Sequence, residues 1–132
     1  MRYGIDPATL LLIADHGLAV DPAHSLVAPN RILGDLLTIL LGEVRRGERD
    51  EKDALVVHNR ATETKIRLLG DRVSRRTAWN LSRDHDWGDL RDAEYLAVTR
   101  LQADALVTPD ARLVALASGI VDVAAPEVLS RA

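Results

Sequence analysis

The longest regular pattern in the chain runs from Asn30, where Ile32, Leu33, Leu36, Leu37, Ile39, Leu40 and Val44 recur at helical spacing until Gly47 stops them. Shorter segments flank it. Tyr3–Asp6 reads as a strand ending in an acid. Pro7 suits a first helical turn, so Ala8–His16 is predicted as a helix closed by Gly17. Ser25–Ala28 is an apolar piece stopped by Pro29. Asp50 is placed to cap a helix carrying Ala54, Leu55, Val57 and His58.

The second half repeats the alternation. Lys65–Leu69 is a candidate strand, and Gly70-Asp71 opens a long polar helix through Val73, Ala78, Trp79 and Leu81. Trp87-Gly88-Asp89 breaks it. Asp89 is expected to cap the next helix, with Ala93, Leu96, Ala97 and Leu101 on one face. Ala105–Thr108 reads as a strand, Asp110–Ser118 as a helix ended by Gly119, and Ile120–Val123 as a last strand. Strands alternating with helices predict a parallel sheet covered by helices, whose reactive site lies at the carboxyl ends of the strands.

That expectation gives the acids meaning. Asp6 closes the first strand, Asp110 follows the Ala105–Thr108 strand, and Asp92 sits in the first turn of the helix before it. Asp35 lies early in the long helix, between Leu33 and Leu36. Carboxylates held together repel, and a divalent cation relieves the cost. All-oxygen ligands favour Mg²⁺ or Mn²⁺, and such an ion can serve phosphodiester hydrolysis. The same acids also stand near helix starts, where a carboxylate caps the helix or complements its dipole. Spacing alone leaves both roles open.

Composition narrows the field. The 132 residues suit one core, and with no Phe that core rests on Leu, Val, Ile and Ala. Cysteine is absent, which excludes thiolate metal sites and a Cys nucleophile and fits a reducing cytoplasm. The apolar runs Leu10–Ala14 and Leu36–Gly42 are too short for a signal core or a bilayer span, so a soluble protein is expected.

A formal charge of −3 argues against generic coating of nucleic acid. Arginine nevertheless outnumbers lysine 15 to 2 and clusters at Arg45, Arg46 and Arg49 and at Arg72, Arg75 and Arg76. Either group is a solvated helix face or a set of phosphate forks. There is no G-x-G-x-x-G, no G-x-x-x-x-G-K-[ST] and no H-E-x-x-H. The lysines, Lys52 and Lys65, are not placed late near a site, which disfavours a phospho-receiver domain. The four histidines read as surface or helix-end residues. Trp79 and Trp87 read as packing residues, in the core or against a protein partner, although either indole is able to stack on a base.

Three stretches resemble the PIN-domain ribonucleases that act as VapC toxins of bacterial toxin–antitoxin pairs. Leu90–Ala117, LRDAEYLAVTRLQADALVTPDARLVALA, has an Asp-Ala pair opening a helix and then a strand ending in Thr-x-Asp. In LVAPNRILGDLLTILLGEVRRG, Asp35 follows Pro29 by six residues, and Arg45-Arg46-Gly47 follows ten residues later. YGID matches the opening strand and first acid. The resemblance implies a single three-layer α/β/α PIN-like domain over residues 1–132. It further implies an acidic pocket of Asp6, Asp35, Asp92 and Asp110 holding Mg²⁺ or Mn²⁺, supported by Thr108. The activity implied is endoribonuclease cleavage of RNA, with Arg45, Arg46 and Arg72 as candidates for the RNA backbone. The partners implied are a VapB-like antitoxin docking across the pocket and a second copy of the chain. The apolar faces around Leu10–Leu12 and Leu36–Leu41 are the candidate dimer surfaces, although the core is the commoner fate of such residues.

Two departures stand out. The family carries Glu where this chain has Asp35, and Ser or Thr where it has Ala8, with Thr9 one step late. They keep open an alternative, a degenerate PIN-like module that binds RNA or a protein without cleavage. Glu43 lies two turns past the matching position and is expected to face solvent.

Overall fold

The computed structural model describes residues 1–132. Five strands form one sheet: β1 Arg2–Ile5, β2 Ser25–Pro29, β3 Arg67–Leu69, β4 Ala105–Val107 and β5 Val123–Ala124. All pairings are parallel, in the order β3-β2-β1-β4-β5. The helices are α1 Pro7–His16, α2 Ile32–Arg45, α3 Glu51–Thr62, α4 Arg72–His85, α5 Arg91–Gln102 and α6 Ala111–Ala117, followed by a 3₁₀ turn at Pro126–Ser130. The chain therefore winds outward from β1 to β3 and then from β4 to β5. The strand order reverses direction between β1 and β4. No helix is long and apolar enough to cross a membrane.

The period of two along each strand separates two cores. Tyr3, Ile5, Leu26, Ala28, Ala105 and Val107 face α1, α2 and α3, where Leu10, Leu36, Leu40 and Val57 are buried. On the other face Leu106 packs with Ala78 and Leu81 of α4, Leu96 of α5 and Leu113 of α6. The result is the expected α/β/α sandwich. Gly4 is required where it stands: a Cβ there would meet Thr99 Oγ1 of α5 at 2.1 Å, so glycine lets α5 lie close on β1.

The expected elements differ from the observed ones at a few places. Ile120 and Val121 do not begin a strand. Their N–H groups donate to Ala117 O and close α6, leaving β5 only two residues. Asp89 accepts from Arg91 N at 2.9 Å, although Leu90 occupies the cap position of α5. Glu43 does not face solvent: it turns toward Arg49, 3.5 Å away, with its side chain only 20% exposed. Trp79 is no core residue but 58% exposed, whereas Trp87 stacks on His85. Leu10, Leu36 and Leu40, on faces considered for a dimer surface, are core. Leu37 and Leu41 remain exposed.

Candidate active site

The acids reach the carboxyl edge of the sheet by two routes. Asp6 and Asp110 follow β1 and β4 directly and cap α1 and α6. Asp6 accepts from Thr9 N and Asp110 from Arg112 N, each at 2.9 Å. Asp35 and Asp92 cap nothing: the cap positions of α2 and α5 are Arg31 and Leu90, neither with a side-chain cap bond. Capping therefore accounts for two acids, and the other two stand in first turns, where a carboxylate complements the helix dipole.

Thr108 joins the two strand ends. Its Oγ1 donates to Asp6 Oδ2 at 2.5 Å and accepts from Asp110 N at 3.0 Å. Thr9 Oγ1 donates to Val107 O, anchoring α1 to β4 from below. Asp6 is 3% exposed. Burial raises its pKa above the ordinary aspartate value, against the lowering effect of hydrogen bonds from Thr108 and Thr9.

All four acids line one cleft of about 240 Å³, together with Ala8, Thr38, Arg91, Tyr95 and Arg112. Arg112 forks onto Asp92 at 2.7 and 3.0 Å and approaches Asp110 at 3.5 Å. Arg31 donates to Asp35 at 3.0 Å and also pairs with Glu94. Tyr95 donates its hydroxyl to Asp35 Oδ2 at 2.8 Å. Its pKa is driven up first by burial and then by that carboxylate. Arg112 is likewise held protonated, mainly by its hydrogen bonds to Asp92.

The lining supplies four carboxylates, the all-oxygen donor type that a hard cation such as Mg²⁺ or Mn²⁺ takes, beside two lining arginines. No three of the acids converge as a closed ligand cluster, because arginines and hydroxyls stand between them. Larger hollows, about 450 and 520 Å³, lie at the opposite edge of the sheet and gather no more than two acids each. An adjoining hollow of about 320 Å³ gathers Asp86, Asp89 and Asp92, and of these only the smaller cleft brings four acids together.

The arginines named from sequence are not part of this cleft. Arg45 and Arg46 end α2, about 15 Å along the helix axis from Asp35, and Arg46 pairs with Glu48. Arg72 is exposed at the start of α4. The basic residues that pair with the acids are Arg31 and Arg112, and Arg91 lines the cleft beside them. Sequence spacing held the signals: Arg31 precedes Asp35 by one helical turn, Tyr95 follows Asp92 by three residues, and Arg112 follows Asp110 by two.

No family model matches the chain, and no curated protein matches it. Solved structures do. PAE2754 from Pyrobaculum aerophilum is 20% identical, with 98% of this chain and 96% of that one covered and a TM-score of 0.72. VapC20 of Mycobacterium tuberculosis, a toxin that cleaves the sarcin–ricin loop, is 18% identical, with 91% of this chain and 97% of that one covered and a TM-score of 0.59. At these identities the likeness is one of fold, and the fold is the three-layer PIN-like one.

Proposed function

We propose that the acidic cleft is the active site of a Mg²⁺- or Mn²⁺-dependent endoribonuclease, working as the toxin of a toxin–antitoxin pair. One observation carries the reading. Asp6, Asp35, Asp92 and Asp110 come from four separate elements and face one cleft where the strand order reverses, the place where open α/β sheets carry ligand sites. The fold shared with a toxin that cleaves the sarcin–ricin loop supports RNA as the substrate.

The four aspartates would hold the ion, which supplies charge neutralisation at the phosphate and activation of water. The chain's own groups do the rest. Thr108 and Thr9 fix both oxygens of Asp6. Arg31 and Tyr95 orient Asp35 from two sides. Arg91 and Arg112 line the cleft as phosphate forks, with Arg112 holding Asp92 until a cation takes its place. In the net reaction water forms one P–O bond, the bond to the leaving ribose oxygen breaks, and that oxygen takes a proton. A VapB-like antitoxin across the cleft, a homodimer and a cytoplasmic location belong to the same proposal.

One observation favours the rival reading of a module that binds without cutting: Asp35, the shorter acid, is already engaged by Arg31 and Tyr95. Incubating purified protein with total RNA, in EDTA and in Mn²⁺, decides between the two. Cutting in Mn²⁺ that Asp6→Asn loses supports the nuclease. A folded wild type that leaves RNA intact in Mn²⁺ refutes it.

A further inference from the structure

We infer that the outer face of α4 docks single-stranded RNA and leads it toward the acidic cleft, an inference that rests on RNA being the substrate. At 100° per residue, Arg72, Arg75, Arg76, Trp79 and Arg83 fall within an arc of about 100°. All five are exposed, while Ser74, Ala78 and Leu81 on the far side are buried. Four arginines therefore stand on one stripe of a chain whose net charge is −3. Arg83 pairs with its neighbour Asp84, and Arg75 bonds back to Gly70 O. Arg72 and Arg76 have no ion pair within the chain.

Trp79 decides what such a stripe fits. An isolated exposed apolar side chain is ordinary. Here the indole, 58% exposed, stands on the same stripe between Arg76 and Arg83, and no ring stacks on it. Arginines match phosphates, and an exposed indole face stacks on an unpaired base. An acidic protein surface would use the arginines but leave the indole without a counterpart.

Position agrees. Arg72 to Arg83 spans about 16 Å along the helix axis, long enough for a strand to meet more than one of the arginines. Past the end of α4, Asp86, Trp87 and Asp89 share a hollow with Asp92 and Arg112. The stripe therefore runs toward the cleft rim.

The test is fluorescence polarisation of a labelled ten-nucleotide RNA in EDTA, which silences metal-dependent cutting, across a salt series. Replacing Arg72, Arg75 and Arg76 together by Ala should weaken binding by at least about 30-fold and reduce the salt slope by about two, at roughly 0.7 for each phosphate no longer neutralised. Trp79→Ala should weaken it about tenfold at unchanged slope, and Trp79→Phe should restore most of the affinity. These side chains are exposed, so the variants keep their fold. Wild-type affinity and slope in both the triple variant and Trp79→Ala would overturn the proposal and leave the stripe to an acidic protein partner. Binding through α4 by a protein that never cuts would contradict the nuclease reading alone.

Discussion

Two arginine–carboxylate clusters stand at opposite ends of the sheet and use the same chemistry to different ends. At the far end Arg49 joins Asp15 of α1, Glu43 of α2 and Asp53 of α3, with contacts of 2.7, 3.5 and 2.5 Å. It is 12% exposed and locks three helices together. At the cleft Arg112 holds Asp92 and Asp110 but is 61% exposed. A buried arginine cannot leave without stranding its acids, whereas an exposed one exchanges its partners for solvent at little cost. The first cluster is a staple; the second is an exposed counter-ion that, on the proposed function, gives up its carboxylates to a metal and turns to a phosphate.

The comparison breaks most sharply at Asp6. Asp6→Asn should abolish Mn²⁺-dependent RNA cleavage, a loss of more than roughly 100-fold, while the cap bond from Thr9 survives because Asn caps as well as Asp. Rate measurement beside a thermal melt checks both halves. Next comes Arg49→Ala, which strands Asp15 and Glu43 and should cost about 3 kcal/mol in urea unfolding without lowering the cleavage rate of the folded protein. Arg112→Ala should do the reverse. Its stability should change by less than about 1 kcal/mol, and Mn²⁺ affinity by calorimetry should rise about tenfold as a competing positive charge leaves. An unchanged affinity would make Arg112 a bystander.

The smallest effect is a pH dependence of opposite sign at the two ends. Hydrogen bonds from Arg49 lower the pKa of Asp15. Its stabilisation is thus complete above the unfolded value of about 3.9 and is lost as pH falls through the lower folded value. Burial raises the pKa of Asp6. Its contribution is present below about pH 3.9 and lost as pH rises through the raised folded value. Asp6→Asn should therefore melt a few degrees above wild type at pH 7, with the gap closing toward pH 4. A gap that widens on acidification contradicts the assignment.

Much of this is legible in the sequence because it depends on period and punctuation. Alternating strands and helices place Asp6 and Asp110 at strand ends, and helical spacing places Asp35 and Asp92 in the first turns of their helices. What escapes depends on contacts between distant segments. Glu43 reads as solvent-facing because Arg49, which folds back onto it, lies beyond the helix end. Arg45 and Arg46 stand out as a pair, yet the length of α2 carries them away from the cleft. The pairing of Arg112 with Asp92 escapes a reading along the chain because the two lie 20 residues apart. Ile120 and Val121 read as strand because β-branched residues follow Gly119, but their N–H groups are used to end α6. Trp79 reads as a packing residue by its apolar bulk, and only the helix phase places it on the exposed side of α4.

The most direct measurement is the rate of RNA cleavage in Mn²⁺ for wild type, Asp92→Asn and Arg49→Ala, each at a temperature where circular dichroism shows it folded. The account predicts cleavage by wild type and Arg49→Ala at similar rates and none by Asp92→Asn. Equal cleavage by all three, or a folded wild type that does not cut, would contradict it.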